Sequence, residues 1–320
     1  MLLTLPCLMA AGLAAASPAA PGSADTSAAL GRSRLVFTAS GAGEFSFDTG
    51  VLRGKLRPGG KALGLVSVVH LPTGLQLDQG PSGYGLLSHY RVFTVGKRYG
   101  TGAWDWPSQA RLQPDGSVET IWLADGTRPF EMRAIYRLAG PATVDLETVV
   151  TPNTNLWGFE SFVASYFAPA FSNAAALLAD HPTGSRKPDL LEADRFFGDW
   201  LLFPRDVAIL ALVNDGRWRL EPHPVDWTIM PPLAKPLGLR RAPASKLMAV
   251  LMAPAGDCFA LAMPYQTEPH LSLYLSLFGR NLKAGETVRA HSRLVVTPDL
   301  TVEQLLQLYQ NYLSELRARR

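Results

Sequence analysis

The chain has 320 residues, of which 47% are hydrophobic and 18% are charged, and it carries a formal net charge of +3. A chain of this length and apolar content can bury a substantial core, which excludes disorder over most of its length. The small net charge argues against nucleic acid or an anionic membrane surface as a partner.

The N-terminal residues have the pattern of an export signal. Residues 2–16 are apolar and uncharged, and small residues that suit cleavage follow them. The run is shorter than the ~20 residues of a membrane span. It lacks the basic start of a typical signal peptide, since no Lys or Arg precedes Arg32. We predict a signal peptide at 1–20 and a flexible linker at 21–33, with a disordered apolar leader as the alternative. The expected location is secreted or periplasmic, with no membrane span after signal removal.

The number of cysteines decides whether disulfide bonds can stabilise the exported chain. Once residues 1–20 are removed, Cys258 is the only cysteine that remains, so a disulfide framework is excluded. Cys258 lies in the apolar stretch GDCFALAMP and is expected to be a small buried hydrophobe. A large core must therefore supply the stability.

From residue 34 onward, hydrophobic and polar residues alternate in runs that turn residues separate. The clearest run, PFEMRAIYRL, places Phe130, Met132, Ala134, Tyr136 and Leu138 on one face. A period of two is typical of a half-buried strand. We predict the all-β class, with one large antiparallel two-layer β-sandwich at 34–320. Two smaller sandwiches that meet within 180–200 are the alternative.

Two hairpins are predicted in the second half of the chain. The turn Asn214-Asp215-Gly216 separates DVAILALV from RWRLEP and is a strong hairpin signal. The stretch LMAVLMAPAGDCFALAMP is nearly apolar on both sides of its turn, which predicts two paired strands covered on both faces.

One helix is predicted at the C-terminus, over 301–318. Thr301 followed by Gln304 has the spacing of a capping box. Leu305, Leu308, Tyr309 and Tyr312 then form an apolar stripe at helical spacing. We expect this helix to pack on the outside of a sheet.

Three stretches together resemble the β-supersandwich of the galactose-mutarotase type. They are FSFDTGVLRGKLRPGG with the following LVSVVHLPTGLQL, YRLAGPATVDLETVVTP with FESFVASYF, and LYLSLFGRNLKAGETVRAHSRLVV. The chain also resembles uncharacterised exported bacterial proteins, marked by YRVFT, KRYG, DWP, FPRD, DGRW and SLYLSLFGR. The resemblance implies a supersandwich with a concave sugar groove.

The mutarotase catalytic residues do not carry over to this chain. The resemblance places an acid–base histidine two positions before the Tyr-Phe step, where this chain has Ala164. It places a general-base glutamate on a late strand, where this chain offers Ala260, Ala262 and Met263. Without these groups an anomeric proton cannot be transferred in the mutarotase manner. The fold is therefore expected without that epimerase chemistry.

The stretch GLLSHYRVFTVGKRYGTGAWDW, residues 85–106, mixes aromatic, basic and acidic side chains. Sugar recognition needs flat apolar faces beside planar donors and carboxylates. Strand alternation places His89 and Arg91 on one face and Tyr90 on the other. From this stretch the predicted ligand-binding residues are Arg91, Arg98, Tyr99, Trp104, Asp105 and Trp106, and the predicted catalytic residue is His89. The alternatives are an Arg98–Asp105 ion pair and Trp106 as a packing anchor.

Two further segments contribute predicted site residues. In WGFESFVASYF, Glu160 and Tyr166 share a face, and both are predicted to be catalytic, with an ion pair between Glu160 and an arginine as the alternative. Loops rich in Pro, Trp and Arg often rim a binding face. We therefore predict that Arg205, Trp227 and Arg240 bind ligand, with solvated loop charges as the alternative.

No cofactor is expected from the sequence. The six histidines form no H-x-H or H-E-x-x-H pair, and neither a G-x-S-x-G elbow nor a phosphate loop is present. The predicted function is binding of a carbohydrate or uronate-like ligand in the groove. If the chain is an enzyme, the expected class is a carbohydrate isomerase, lyase or hydrolase. The alternative is a non-enzymatic envelope or surface interaction protein whose tryptophans belong to the core.

Overall fold

The structure is a computed structural model that describes residues 35–41, 43–57, 59, 64–80, 83–180, 184 and 187–319. The predicted signal peptide and linker lie outside the described residues. From Ser33 to Arg320 the chain forms one compact unit. Neither helix within the described residues has the length and apolar character that crossing a membrane requires.

The described residues form mostly β-strands. In chain order they are β1 (Thr38–Gly41), β2 (Glu44–Asp48), β3 (Leu52–Arg57), β4 (Gly64–His70), β5 (Leu75–Gln76), β6 (Ser88–Thr94), β7 (Lys97–Arg98), β8 (Gln109–Leu112), β9 (Val118–Trp122), β10 (Phe130–Gly140), β11 (Thr143–Pro152), β12 (Leu156–Tyr166), β13 (Asn173–Leu178), β14 (Asp189–Glu192), β15 (Trp200–Pro204), α1 (Leu210–Val213), β16 (Thr228–Ile229), β17 (Leu233–Ala242), β18 (Leu247–Met252), β19 (Cys258–Pro264), β20 (Ser272–Leu282), β21 (Val288–Pro298) and α2 (Val302–Ala318). The prediction of an all-β chain with a C-terminal helix is confirmed.

Three sheets contain these strands. One has five strands in the order β1-β2-β3-β4-β5, a second has nine in the order β14-β13-β17-β18-β21-β11-β10-β9-β8, and a third has seven in the order β16-β15-β19-β20-β12-β6-β7. Every pairing among them is antiparallel except the parallel pair β15–β16. Antiparallel strands can keep one face in the core and leave the other for a surface or a site.

The nine- and seven-stranded sheets pack face to face. β17 and β18 of the larger sheet lie against β19 and β20 of the smaller. The approach is close: a Cβ on Gly238 of β17 would lie 2.7 Å from Leu261 Cδ1 of β19. Along β10, buried and half-buried residues alternate as the sequence predicts. β19 and the first seven residues of β20 are buried on both faces.

Helix α2 covers the outer face of the nine-stranded sheet. Thr301 Oγ1 accepts the backbone N–H of Gln304, and the Gln304 side chain accepts the backbone N–H of Thr301, so the predicted capping box is confirmed. Leu305, Tyr309 and Tyr312 are buried against β13, β17, β18 and β21. Burial of one leucine of this kind contributes roughly 1.5–3 kcal/mol, so the apolar stripe fixes the helix on the sheet.

Both predicted hairpins are wrong. Asp206 accepts the backbone N–H of Ile209 and starts helical turns that continue through α1, and a second 3-10 turn follows Gly216. Aspartate capping therefore overrides the strand pattern in DVAILALV. The strands β18 and β19 also do not pair, because the turn between them carries the chain from the nine-stranded sheet to the seven-stranded sheet.

Candidate functional site

A pocket of about 490 Å³ opens on the face of the seven-stranded sheet that is turned away from the nine-stranded sheet. Phe162 and Tyr166 of β12 line it, whereas the hydroxyl of Ser161, the residue before Phe162, points inward to Met132 Sδ of β10, 3.8 Å away. The lining consists of Tyr84, Tyr90, Arg91, Thr101, Trp104, Asp105, Phe162, Tyr166, Trp200, Trp218, His223, Pro224, Val225, Trp227, His270 and Tyr274. Nine of these sixteen residues are Phe, Tyr or Trp, so aromatic faces dominate the pocket.

Three rings from the neighbouring strands β12 and β20 form the floor. Ala164 is the Cα partner of Tyr274 across the two strands, so Tyr274 lies between Phe162 and Tyr166. Tyr274 stacks on Phe162 with ring centroids 4.6 Å apart, and it meets Tyr166 edge to face at 5.9 Å. The strand register therefore creates a continuous aromatic floor.

One wall comes from β6, and it corrects the predicted alternation. The sequence places His89 and Arg91 on one face and Tyr90 on the other. In the structure, His89 of β6 pairs with Val163 of β12, and Val92 pairs with Ser161. Two residues of β6, Tyr90 and Arg91, therefore lie opposite the single residue Phe162 of β12. A bulge of this kind re-aims side chains. Tyr90 and Arg91 therefore both line the pocket, and His89 points into the sandwich.

The turn after β7 extends this wall. Trp104 is buried and stacks on the ring of Tyr90 and on the ring of Tyr84, whose centroid is 5.4 Å away. The next residue, Asp105, is exposed, and its Oδ2 accepts the Thr101 hydroxyl at 2.7 Å. An aromatic face and a carboxylate thus stand side by side, as the sequence predicts for Trp104 and Asp105.

A second wall is the capping segment, which we define as residues 205–227. Its Trp218 meets Phe162 edge to face at 4.6 Å, and its Trp227 lies perpendicular to Trp218 at 5.1 Å. Trp200 of β15 adjoins Trp227 at 6.0 Å. These rings continue the aromatic surface from the floor along this wall, and Trp227, one of the predicted ligand-binding residues, lines the pocket.

A buried ion group holds the capping segment on the sheet. Arg217 Nη1 donates to Glu160 Oε2 at 3.1 Å, and Arg217 Nη2 donates to Asp215 Oδ2 at 2.7 Å. Glu160 and Arg217 have no exposed side-chain surface. Burial raises the pKa of the Glu160 carboxyl, and the Arg217 guanidinium opposes that rise. Glu160 does not line the pocket. The structure instead shows the alternative given for this residue, an ion pair with an arginine.

Arg98 joins the two walls. Its guanidinium donates to the carbonyl oxygens of Gly100 at 3.0 Å and Thr101 at 2.6 Å, and also to the carbonyl oxygen of Pro222 in the capping segment. It bonds backbone rather than Asp105, and it does not line the pocket. A planar fork of donors suits several carbonyls at once, so Arg98 positions both loops.

Arg91 is the cation of the pocket. Only 5% of the residue is exposed. Its guanidinium carbon lies 5.0 Å from the ring centroid of Tyr90 and 5.4 Å from that of Trp218. Cation–π contacts of this kind stabilise a guanidinium but do not satisfy its N–H groups.

The surroundings shift the pKa values of His270 and Tyr166, two ionisable groups of the pocket. His270 Nδ1 lies 2.6 Å from Glu268 Oε1, and this hydrogen bond raises the pKa of the imidazole. Burial raises the pKa of Tyr166 well above its ordinary value, and Tyr274 adds to the rise. Tyr166 is therefore a hydroxyl donor rather than a base, and the Glu268 carboxylate favours the protonated form of His270.

The predicted catalytic residue His89 lies inside the sandwich. Its Nε2 is 3.0 Å from Thr148 Oγ1 of β11, and its ring stacks on Trp122 of β9 at 5.4 Å. Complete burial lowers the pKa of this imidazole from its ordinary value of 6.5 to about 3. It is a neutral core residue between the two sheets.

Two aromatic residues of the same stretch also pack away from the pocket. Tyr99 is buried and meets Phe130 edge to face at 5.0 Å. Trp106 is half-buried, 6.1 Å from Phe130, and the Arg128 guanidinium carbon lies 4.5 Å from its ring centroid. Trp106 is thus the packing anchor that the sequence offered as an alternative.

Two predicted arginines lie elsewhere. Arg205 Nε donates to Asp206 Oδ2 at 2.7 Å in a local turn. Arg240 is fully buried in β17 and donates to three backbone carbonyls at 3.0–3.3 Å. Burial lowers the pKa of Arg240 to about 9. It ties the sheets together rather than lining the pocket.

The pocket also contains residues that the sequence did not single out. They are Tyr84, Tyr90, Thr101, Phe162, Trp200, Trp218, His223, Pro224, Val225, His270 and Tyr274. Tyr274 lies in the stretch LSLYLSLF, where the one polar-tipped ring among leucines is a usable signal. The others are brought together by contacts across long stretches of chain, which no local pattern reveals.

The positions at which the mutarotase resemblance places acid–base groups carry methyl groups. Ala164 and Ala262 are the Cα partners of Tyr274 on its two sides. Both are fully buried.

Solved structures that are similar to the chain include galactose mutarotase-like proteins. One from Clostridium acetobutylicum is 10% identical, with a TM-score of 0.49 over 80% of this chain and 95% of that chain. One from Lactobacillus casei is 10% identical, with a TM-score of 0.49 over 79% and 100%. A putative aldose 1-epimerase from Escherichia coli K12 is 10% identical, with a TM-score of 0.44 over 78% and 97%. No protein-family model matches the chain, and no curated protein matches it. Likeness at this level says nothing of activity.

Proposed function

We propose that the protein binds carbohydrate in the aromatic pocket of the seven-stranded sheet. The observation that carries the proposal is the continuous set of rings along the floor and both walls, with Arg91, Asp105, His223 and His270 among them. The pocket volume of about 490 Å³ lies within the range of roughly 300–1,000 Å³ that small-molecule sites have.

Pyranose rings fit this chemistry. Their C–H faces pack against aromatic faces, and their hydroxyls need donors and acceptors at the ring edges. The half-buried Trp200 and Trp227 supply faces, and Asp105, Thr101 and the tyrosine hydroxyls supply polar partners. The alternative function, an envelope interaction protein, expects all tryptophans to be packed in the core. Trp104 and Trp227 instead line the pocket.

We also propose that the protein acts outside the cytoplasm, in the periplasm or as a secreted protein. The apolar, uncharged residues 2–16 and the small residues after them support this proposal. Expression of the full chain in a bacterium, followed by fractionation and N-terminal sequencing, tests it. We expect a mature N-terminus near residue 21, and full-length protein retained in the cytoplasm would contradict export.

A glycan array with a thermal-shift follow-up tests carbohydrate binding. Wild-type protein is compared with Trp104→Ala, which removes a pocket wall, and with the control Trp157→Ala, whose side chain is 61% exposed outside the pocket. A ligand raises the unfolding temperature of a protein that binds it in the folded state. We expect saccharide signals for wild type and the control that Trp104→Ala loses. An array and a shift assay without any saccharide signal for folded wild type would overturn the proposal.

A further inference from the structure

We propose that the saccharide of this pocket is acidic and that its carboxylate pairs with Arg91. The inference rests on the carbohydrate-binding function proposed above and names the ligand class of the same site. The observation behind it is a buried guanidinium that lines the pocket without a counterion. Among the described residues, Arg91 forms no ion pair within 4.0 Å.

The hydrogen bonding of Arg91 is incomplete. Within the described part of the chain, Nε and Nη1 have no hydrogen-bond partner and are shielded from solvent. The remaining nitrogen, Nη2, reaches only the Tyr90 hydroxyl, at the long distance of 3.4 Å. A buried charge without a partner is costly, and a ligand anion that supplies the partner recovers that cost on binding.

The other buried arginines have acidic or carbonyl partners within the protein. Arg217 pairs with two carboxylates, and Arg293 pairs with Asp145 and Glu315. Arg128 pairs with Asp125, and Arg240 donates to three carbonyls. Arg91 differs from all four because its guanidinium is flanked by two rings and meets the pocket instead of an acidic side chain.

The charges around the pocket favour a singly charged anion. Arg91 is the one Lys or Arg side chain among the lining residues, and the exposed Asp105 carboxylate lines the same pocket. A phosphate monoester carries about −1.5 to −2 charges at neutral pH, more than the single charge of the Arg91 guanidinium. A uronate carries a single charge in a planar group that matches the guanidinium. Its pyranose ring is then free to pack on the aromatic rings next to Arg91.

Paired ligands that differ only at C6 test the inference. Calorimetric titrations compare methyl glucuronide with methyl glucoside, and short oligouronates with their neutral counterparts. We expect the acidic ligand of each pair to bind at least about tenfold more tightly, the discrimination that roughly 1.4 kcal/mol provides. In Arg91→Gln the acidic ligand of each pair should lose its advantage, so that the two ligands bind alike.

The outcomes separate the inference from the proposed function. If neutral sugars bind as tightly as uronates, the acidic ligand class is wrong and carbohydrate binding stands. If neither binds, carbohydrate binding itself fails. Tighter binding of the matched sugar phosphate or sulfate than of the uronate overturns the carboxylate assignment.

The stability of the free variant tests the premise. Removal of an uncompensated buried cation should leave the unfolding temperature of Arg91→Gln equal to or above that of wild type. A fall of more than about 5 °C, well beyond the few degrees that a typical surface change causes in a chain of this size, would show that the protein itself holds Arg91, which contradicts the inference.

Discussion

The rings of Tyr90 and Trp104 stack with their centroids 4.1 Å apart and their planes inclined by 18°. Gly102 makes this contact possible. A Cβ at Gly102 would lie 2.8 Å from Trp104 Nε1 and 2.9 Å from Tyr90 Cδ2, in the space that both rings use. One wall of the pocket therefore requires a residue without a side chain at position 102.

Gly102→Ala should disrupt this wall without touching the ligand. The added methyl forces the two rings apart, and we expect saccharide affinity to fall by about tenfold, or about 1.4 kcal/mol. Titration of wild type and variant with the same saccharide checks the change. The control is Gly126→Ala, where a Cβ meets nothing within 4 Å. Equal affinities in all three proteins would show that the stack does not contribute to the site.

Arg98→Met should loosen both walls. The three carbonyls that accept from Arg98 lose a charged donor, and we expect a loss of about 1–3 kcal/mol in the free energy of unfolding. Saccharide affinity should fall with it, because the capping segment is no longer tied to the turn after β7. Arg98→Lys should not restore affinity, since one ammonium lacks the fork of donors.

The control for Arg98 is Arg53→Met, which removes an exposed arginine paired with Asp48 on the five-stranded sheet. A surface pair of this kind contributes ~0–1 kcal/mol. Urea unfolding measures stability in each variant. If Arg98→Met costs no more than Arg53→Met and binds saccharide normally, Arg98 does not position the loops.

Arg217→Met should be among the most destabilising single changes. It leaves Glu160 buried without its cation, which costs about 3–5 kcal/mol. The double variant Glu160→Gln with Arg217→Met should recover part of that loss, and a double-mutant cycle measures the coupling. Glu160→Gln alone should change saccharide affinity by less than about threefold, under ~1 kcal/mol. Complete loss of binding in folded Glu160→Gln would instead restore the predicted role of Glu160 in the site.

His89 should make the protein sensitive to mild acid. The folded state holds the imidazole neutral down to a pKa of about 3, whereas the unfolded chain takes up the proton near pH 6.5. Because the unfolded state binds more protons below pH 6.5, the stability is full above that pH and is lost as the pH falls toward 3. The slope from this group is at most about 1.4 kcal/mol per pH unit.

Urea unfolding at several pH values between 7.5 and 5 measures this slope. His89→Gln keeps a polar partner for Thr148 but has no ionisable group, so its free energy of unfolding should depend less on pH than that of wild type. Parallel curves for the two proteins would show that His89 is not buried in its neutral form.

Local sequence patterns predict the architecture, but they predict only part of the pocket. Alternation in PFEMRAIYRL and the capping box at Thr301 each depend on neighbours within a few residues, so the sequence predicts a sandwich and its C-terminal helix. The capping segment departs from the prediction because Asp206 begins helical turns, and its anchor is a long-range ion pair to Glu160.

Five predicted residues reach the pocket: Arg91, Trp104, Asp105, Tyr166 and Trp227. Four of them lie in stretches where aromatic and charged residues stand close together, which a single sequence shows, whereas Tyr166 lies in the uncharged run FVASYF. His89 was assigned to the face of Arg91 by strict alternation, and one extra residue in β6 reverses that assignment. A bulge depends on how two strands align across the sheet, and a single strand's pattern does not report it.

Four of the seven tryptophans of the chain line the pocket, so their fluorescence reports directly on its occupation. The decisive measurement is a fluorescence titration of wild-type protein with neutral and acidic saccharides up to about 10 mM, above the millimolar range of weak binding. The account predicts a saturable change in intensity or emission maximum, absent in Trp104→Ala and present in Trp157→Ala. Unchanged emission from folded wild-type protein with every saccharide would contradict it.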